Sequence, residues 1–164
     1  MIIREATQSD AKQLSDLSVK TYVHAFGGPF SNPLDLEKWI EETRSEKYFK
    51  KIIEKGSVLV AEEDGVLIGY AEFGKIGVNY PIKDKAENDQ ILSRLFVLDE
   101  YQNKGIGKAL LDKMLACKQM QMAGKIYLDV SKNNEGAQRL YKFYGFEDTG
   151  QIIDGDMIMV RHNH

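Results

Sequence analysis

Two glycines and two lysines lie at the start of a predicted helix, within YQNKGIGKALL at residues 101–111. Glycine weakens a helix by ~0.8–1 kcal/mol relative to alanine, and lysines oppose the positive end of its dipole. However, the first backbone N–H groups of a helix have no acceptor inside it and bind anions. Glycine also lets phosphate oxygens approach the main chain. The segment therefore predicts a pyrophosphate cradle made by Gln102, Asn103, Lys104, Gly105, Ile106, Gly107 and Lys108. The alternative is that Gly105 and Gly107 only permit a tight turn between a strand and a helix.

The composition is that of an ordinary globular protein. The chain has 164 residues, a net charge of -3 and a pI near 5.7, which argue against a primary role in nucleic-acid binding. No apolar run approaches the ~20 residues of a membrane span, and no secretory signal is visible. The single cysteine excludes an internal disulfide, and His24, His162 and His164 form no ligand spacing, so we expect no metal. We expect one soluble, cytoplasmic domain over residues 1–164, with neither a nucleic-acid nor a membrane partner.

The elements that must position the glycine turn follow from apolar periodicity. The predicted order is strand, helices, three strands, helix, strand, helix and two strands. Strand 90–98, helix 105–122 and strand 125–130 form a strand–helix–strand unit, which favours a parallel pair with a right-handed crossover. Turn signals predict two hairpins, at Asp64-Gly65 and Asp154-Gly155. The predicted fold class is therefore α/β (α+β), with a mixed, mostly antiparallel twisted sheet of about seven strands flanked by about four helices.

Two segments resemble motifs of the GNAT superfamily, the acyl-CoA-dependent N-acetyltransferases. LFVLDEYQNKGIGKALL, residues 95–111, resembles motif A, whose signature is [QR]-x-x-G-x-[GA] after a strand. NEGAQRLYKFYGF, residues 134–146, resembles the later segment N-x-x-A-x-x-x-Y-x-x-x-G-F. A helix and a strand separate the two segments, as in the superfamily, and the strand order of the whole chain is similar. The resemblance implies a GNAT-like fold, acetyl-CoA as co-substrate, and N-acetyltransferase activity by direct attack in a ternary complex.

The resemblance also implies roles for individual residues. The main chain of Phe96 and Val97 would pair with the amides of the pantetheine arm, and the Val97 N–H would stabilise the oxyanion. The amides of residues 102–108 would hold the pyrophosphate, Asn134 would contact the cofactor arm, and Tyr141 would stand near the thioester sulfur. Tyrosine, with an ordinary pKa of about 10, stays protonated at neutral pH and can donate to the expelled thiolate. The alternative for Tyr141 is ordinary aromatic packing.

The general base departs from the superfamily pattern. Many members carry a glutamate before an arginine on the strand that precedes motif A, where this chain has Ser93 before Arg94. Proton removal would then run through water or through Glu72 on the neighbouring strand, although Glu72 equally fits a solvent-facing strand position. Cys117 lies on the apolar face of the predicted helix 105–122, where a buried small hydrophobe is favoured over an acyl-enzyme nucleophile. The superfamily resemblance further implies that strand 90–98 is splayed from strand 125–130.

The acceptor is expected to bind the least regular parts of the chain, residues 22–50 and 77–89, which include a predicted loop at 26–33. TYVHAFGG and LYKFYGFEDTG resemble segments of bacterial polyamine acetyltransferases of the spermidine/spermine type. Four glutamates would attract a polycation and three aromatic residues would line its alkyl chain, namely Glu37, Glu41, Glu42, Glu46, Tyr22, Phe26 and Trp39. Alternatively, the glutamates form a solvated helix face. The expected substrate is a small-molecule primary amine, more specifically a polyamine. The other interpretations are a peptide or protein N-terminal acetyltransferase and a non-catalytic acyl-CoA-binding module, and a homodimer is an option.

Overall fold

The computed structural model describes residues 1–26 and 33–163, without the side chains of residues 22–26 and 33. The chain forms two compact units. Unit one comprises Met1–Glu72 and Leu95–Lys113, and unit two comprises Phe73–Arg94 and Met114–His164. Four parts of the sequence predictions lie outside the described residues, namely residues 27–32 of the predicted loop at 26–33, the side chains of Tyr22, His24 and Phe26, the side chain of residue 33, and His164.

Seven strands and several helices follow one another in the predicted order. The strands are β1 (Ile2–Glu5), β2 (Val58–Glu63), β3 (Val66–Lys75), β4 (Gln90–Val97), β5 (Lys125–Ser131), β6 (Glu147–Ile153) and β7 (Asp156–His162). The α-helices are α1 (Ala11–Phe26), α2 (Pro33–Thr43), α3 (Glu46–Glu54), α4 (Ile106–Ala116), α5 (Lys118–Gln121) and α6 (Glu135–Phe143). Short 3₁₀ turns occupy Gln8–Asp10 and Asp99–Tyr101.

The strands form one mixed sheet in the order β1-β2-β3-β4-β5-β7-β6. It is mostly antiparallel, with β4 and β5 as the parallel pair on either side of α4 in the sequence. The predicted fold class is therefore confirmed. Both predicted hairpin turns have positive φ at their two central residues, 50° and 79° at Asp64-Gly65 and 49° and 85° at Asp154-Gly155, as a type I′ turn requires.

The core of unit one lies between α1, α3 and the strands β2 and β3. Leu14, Phe49, Val60 and Tyr70 are fully buried there, together with partly buried neighbours. Ser18 is also fully buried. The hydroxyl of Ser18 and the phenol of Tyr70 form a hydrogen bond of 3.1 Å, which compensates for the burial of both polar groups. This core supports β3, the strand that carries the candidate site residue Glu72.

The core of unit two is closed by the irregular segment between β3 and β4. Ile82 packs there with Tyr127, Ile158 and Val160. The segment is fastened by Asp89, whose buried carboxylate accepts the N–H groups of Ala86 at 2.7 Å and Lys125 at 3.0 Å. Residues 77–89 are therefore held against unit two by the hydrogen bonds of Asp89 and by the buried side chain of Ile82.

The predicted helix 105–122 is split in the structure. Cys117 adopts an extended conformation, with φ -64° and ψ 137°, so that α4 ends before it and α5 begins after it. The next predicted helix ends as expected, because Gly145 has φ 88° and donates its N–H to the carbonyl of Lys142. Glycine adopts this left-handed conformation without the steric cost that a side chain adds.

Candidate active site

The turn before α4 has the backbone geometry of an anion site. Asn103 and Gly105 have positive φ values of 62° and 83°. The first helical hydrogen bond runs from the Ala109 N–H to the Gly105 carbonyl at 3.0 Å, so the N–H groups of Ile106 and Gly107 come before the first hydrogen bond of the helix. A Cβ at Gly105 would meet no neighbour within 4 Å, so the positive φ is the reason for glycine there. These donors and the helix dipole favour a phosphate-like anion.

Side chains around the turn are arranged to leave its donors accessible. Ile106 is buried, at 4% exposure, and anchors the first turn of α4 in the core. Lys104 and Lys108 are exposed, and the Lys104 ammonium lies 5.2 Å from the centre of the Tyr101 ring. These two cations lie at the surface beside the first backbone amides of α4 and strengthen the attraction for an anion. Because they stay exposed, no free energy is spent on burying their charge.

Gln102 is bonded differently from the rest of the predicted cradle. Its backbone N–H donates to the Asp99 carbonyl at 3.1 Å. Its side-chain Nε2 donates to the Val97 carbonyl and to Asp99 Oδ1, each at 3.1 Å. The backbone N–H and the side-chain amide of Gln102 are therefore both directed into the turn itself. The predicted contact of the backbone N–H with a pyrophosphate would compete with its hydrogen bond to the Asp99 carbonyl.

The end of β4 approaches β3 closely, and this approach orients the Val97 N–H. A Cβ built on Gly69 would lie only 2.8 Å from the Phe96 carbonyl oxygen, so that oxygen points at the main chain of β3. The peptide between Phe96 and Val97 is trans, and a trans peptide directs its N–H opposite to its carbonyl. The Val97 N–H therefore points away from β3. One residue later, the Leu98 N–H returns to β3 and donates to the Ile68 carbonyl at 2.9 Å.

The parallel ladder between β4 and β5 is short. It runs from Gln90↔Ile126 to Leu92↔Leu128, whereas β5 pairs with β7 over all seven of its residues. Among the described pairings within unit two, the ladder therefore ends at Leu92.

Tyr141 is a buried phenol on α6. It is 8% exposed and packs edge-to-face on Phe146, with ring centroids 6.0 Å apart. Burial, and secondarily the negative charge of Asp129, raise the pKa of Tyr141 to about 12. The phenol therefore stays protonated through the physiological range and acts as a donor. The neighbouring Tyr144 is half-buried, and its carbonyl accepts a hydrogen bond from Arg161.

Asn134 caps the helix that carries Tyr141. It is the N-cap residue of α6, and its Oδ1 accepts the Ala137 N–H at 3.1 Å. An N-cap amide contributes ~0.5–2 kcal/mol to helix stability. The cap uses the side-chain oxygen, so the Nδ2 group remains as the donor that could meet a carbonyl of a bound ligand.

Glu72 is not a solvent-facing residue. Its side chain is buried on β3, with 7% exposure, and the phenol of Tyr48 on α3 donates a hydrogen bond to its Oε1. The two residues are 24 positions apart, so no local motif predicts their contact. Ser93, which stands where many GNAT members have the base, is exposed on β4.

The acidic residues of α2 and α3 are exposed and pair locally. Glu42 lies 4.0 Å from Lys38 and Glu46 lies 3.3 Å from Lys50, each one helical turn away. Glu37 and Glu41 are also exposed, and Trp39 is half-buried with the Arg44 guanidinium 4.5 Å from its ring centre. These contacts favour the solvated-face interpretation of the glutamates.

The predicted residues are divided between the two units. Unit one holds Glu72, Phe96, Val97 and residues 102–108, and unit two holds Asn134 and Tyr141. Among residues 1–26 and 33–163, no group of three or more His, Cys, Asp or Glu side chains is arranged to hold a metal ion. In the same part of the chain, none of the helices has the length and apolar character that crossing a membrane requires.

Two residues that shape the site were missed by the sequence predictions. Gly69 interrupts the apolar run VLIGYAEF, and an isolated glycine inside a strand is a signal of close backbone approach. The hydrogen bond from Tyr48 to Glu72 had no comparable signal in the sequence. An aromatic residue in an amphipathic helix usually indicates only that the position is buried.

Comparisons with known proteins agree with the motifs. A model of the acetyltransferase (GNAT) family matches residues 19–146. The chain is 32% identical over 102 residues to a spermine/spermidine N(1)-acetyltransferase of Bacillus subtilis, covering 60% of this chain and 64% of that protein. It is 31% identical over 90 residues to the N-alpha-acetyltransferase RimI of Mycobacterium tuberculosis, covering 55% of this chain and 51% of that protein. These alignments thus span about half to two-thirds of the relatives' lengths.

A solved structure shares the whole fold. The PaiA N-acetyltransferase of Thermoplasma acidophilum, determined in complex with coenzyme A, superimposes with a TM-score of 0.77. The match covers 98% of each chain at 24% sequence identity. Similarity at this level of identity is evidence for the fold.

Proposed function

This chain belongs to the acetyltransferase (GNAT) family, and we propose that it transfers an acetyl group from acetyl-CoA to a primary amine of a small molecule. The observation that carries the proposal is the turn before α4, which combines positive φ at Asn103 and Gly105 with the first backbone N–H groups of a helix and two exposed lysines. The family model spans this turn. Acetyl-CoA supplies an activated thioester, whose carbonyl carbon the amine attacks directly.

The proposed cofactor contacts are mostly main-chain contacts. The amides of Asn103, Lys104, Gly105, Ile106, Gly107 and Lys108 would hold the pyrophosphate, and Gln102 would complete the turn. The open space at Gly105 supports this fit, because nothing lies within 4 Å of its Cβ position. The main chain of Phe96 and Val97 would line the pantetheine arm. The Phe96 carbonyl is directed at β3, and the Val97 carbonyl, which accepts Gln102 with one lone pair, would accept a pantetheine N–H with the other. Asn134 would contact the arm through Nδ2.

Val97 is the proposed donor to the oxyanion. Its N–H is directed away from β3 by the contact between the Phe96 carbonyl and Gly69, so β3 does not use it. A backbone donor held in place before reaction lowers the barrier, because no reorganisation is needed as negative charge develops.

Tyr141 is proposed as a hydrogen-bond donor to the leaving thiolate. An ordinary thiol has a pKa of about 8.5. Transferring a proton to such a thiolate from a phenol whose pKa burial raises to about 12 would cost roughly 5 kcal/mol at 1.36 kcal/mol per unit. Tyr141 therefore stabilises the thiolate through its hydrogen bond and retains its own proton.

Glu72 is proposed as the group that accepts the proton of the amine. An ammonium must lose a proton before it can attack, and Ser93 is a poor base. Glu72 is a carboxylate of the unit-one interior, and the hydrogen bond from Tyr48 fixes one of its two oxygens. That hydrogen bond holds the carboxylate in one orientation, which a group that accepts a proton from the amine, directly or through a water, requires.

A polyamine is the proposed acceptor class, and the support for it is the similarity to the Bacillus enzyme. The exposed glutamates of α2 and α3 give little added support, since two of them pair with lysines. A peptide N-terminus is the second candidate, and similarity to an N-alpha-acetyltransferase favours it.

Thiol release from acetyl-CoA with a panel of amines tests the proposal. The panel contains spermidine, small monoamines and short peptides with free or blocked N-termini. Faster turnover with spermidine than with any peptide is expected, and preference for free N-terminal peptides would favour the second candidate. If the protein binds CoA but no acceptor causes thiol release from acetyl-CoA, the chain would instead be a non-catalytic acyl-CoA-binding module. Tyr141→Phe serves as the matched variant, expected to turn over more slowly while binding CoA normally.

A further inference from the structure

The side chain of Gln102 connects the predicted cradle to the end of β4. Its Nε2 group lies 3.1 Å from both the Val97 carbonyl oxygen and Asp99 Oδ1. An amide nitrogen carries two hydrogens, so one is available for each acceptor. The flipped amide would place an oxygen against two acceptor oxygens, so the hydrogen bonds fix the orientation of this side chain.

The peptide that follows Val97 is held at both ends. Its carbonyl accepts the Gln102 side chain, and its N–H, on Leu98, donates to the Ile68 carbonyl at 2.9 Å. The preceding peptide rests with its carbonyl against Gly69. Two successive peptides are thus restrained, and the Val97 N–H belongs to the first of them.

We infer that Gln102 is a positioning residue for the oxyanion donor, acting through the Val97 carbonyl and not through the pyrophosphate. The inference rests on the proposed function, which assigns the oxyanion to the Val97 N–H. Loss of the restraint on the peptide after Val97 would let the Val97 α-carbon shift, and a shift of that atom would move the N–H of Val97, which is bonded to it. The Gln102 hydrogen bond opposes that rotation from the side of the turn.

A direct role on the phosphate makes a different prediction. The Gln102 backbone N–H is used by the Asp99 carbonyl, and both hydrogens of Nε2 have acceptors inside the turn. A phosphate contact would have to break one of these bonds. The positioning role therefore predicts that loss of the side chain affects kcat and leaves CoA affinity unchanged.

Gln102→Met and Gln102→Arg are the informative variants. Methionine has nearly the same length without donors, whereas arginine keeps donors and is allowed by the motif-A signature. We expect Gln102→Met to lower kcat about tenfold, which is less than the ~100-fold or greater loss for removal of an oxyanion donor. The Kd for CoA should stay within about twofold, and Gln102→Arg should recover most of kcat. Because Gln102 is exposed, little change in Tm is expected, so unfolding will not obscure the result.

Hydrogen exchange of the Leu98 amide gives a readout independent of turnover. Exchange should be at least about threefold faster in Gln102→Met than in the wild type, and near the wild-type rate in Gln102→Arg. A rise in the Kd for CoA with unchanged kcat would overturn the inference in favour of a phosphate ligand. Unchanged kcat and unchanged exchange would also overturn it. A wild-type protein that turns over no amine would refute the proposed function. The exchange result would still show whether the hydrogen bond from Gln102 restrains the peptide after Val97.

Discussion

Replacing Gly69 with alanine tests how closely β4 must approach β3. The added Cβ would lie 2.8 Å from the Phe96 carbonyl oxygen and 3.4 Å from Cα and Cγ2 of Val97. Two of these three atoms are backbone, so no flexible side chain can move aside. Either the end of β4 shifts outward or β3 bends, and both movements disturb the Leu98–Ile68 hydrogen bond.

The magnitude follows from the distance. An ordinary contact begins at 3.4 Å, so the two strands must separate by ~0.6 Å. Overpacking of this kind costs ~1–3 kcal/mol, and the lower entropy of the unfolded alanine chain offsets at most ~1 kcal/mol of that. A mid-range cost of ~2 kcal/mol less this offset leaves ~1–2 kcal/mol. At roughly 2–4 °C per kcal/mol for a chain of this size, Tm should then fall by about 2–8 °C. Misplacement by ~1 Å costs about 100-fold in rate, so kcat should fall about tenfold.

Thermal melting, CoA titration and amine turnover measure these effects on one preparation. Gly77→Ala is the matched control, because a Cβ at Gly77 meets nothing within 4 Å and the backbone there does not need glycine. This control should melt within about 1 °C of the wild type and bind CoA with wild-type affinity. A Gly69→Ala protein with wild-type Tm and kcat would refute the close approach, and with it the stated orientation of the Val97 N–H. Reduced Tm with unchanged kcat would refute only the link from that approach to catalysis.

Three further changes probe the cradle, the phenol and an N-terminal ion pair. Gly105→Ala forces alanine to φ 83°, which should cost ~1–2 kcal/mol and weaken CoA binding about tenfold by calorimetry. Tyr141→Phe should abolish an alkaline loss of stability. Because folding raises the pKa of Tyr141 to about 12, its stabilisation is complete below pH ~10 and falls by about 1.4 kcal/mol at pH 11 in denaturant titrations. Asp10→Asn should cost ~1–3 kcal/mol, since Asp10 accepts two hydrogen bonds from Arg4 at 2.8 and 3.0 Å. Arg4 also lowers the pKa of Asp10, so this contribution is present above pH ~4 and disappears as the pH falls through the lowered value. The control is Asp16, which forms an exposed ion pair with Lys12 at 3.5 Å. Asp16→Asn should change the free energy of unfolding by less than ~0.5 kcal/mol.

Local signals predicted most of the fold. The Asp-Gly pairs fix their hairpins because both residues accept positive φ, and Gly145 ends α6 for the same reason. The break at Cys117 had no such signal, since nothing between residues 105 and 122 interrupts the apolar face. The prediction of a single domain stays a prediction.

The candidate site was predictable where it depends on the main chain. The cradle needs glycine and positive φ within a few consecutive residues, so its composition is visible in YQNKGIGKALL. The burial of Glu72 was not visible, because it depends on Tyr48, which comes from a separate helix. The side chain of Gln102 likewise turns inward only because the Val97 carbonyl is brought within its reach.

This difference explains why the acyl donor is easier to infer than the acceptor. A pyrophosphate bound by backbone amides requires small residues at fixed spacing, and such a requirement leaves a short motif. An amine is recognised by side chains that need only converge in space, such as a carboxylate on one strand and a phenol on a distant helix. No spacing rule links them, and charged residues nearby in sequence, such as Glu42 and Glu46, instead pair with lysines on their own helices. Substitution of Glu72, the proposed proton acceptor, should therefore lower turnover of every amine by factors that differ from one amine to another, and substitution of Tyr48 should alter the order of preference among amines. Substitutions in the cradle should instead lower turnover of every amine by the same factor.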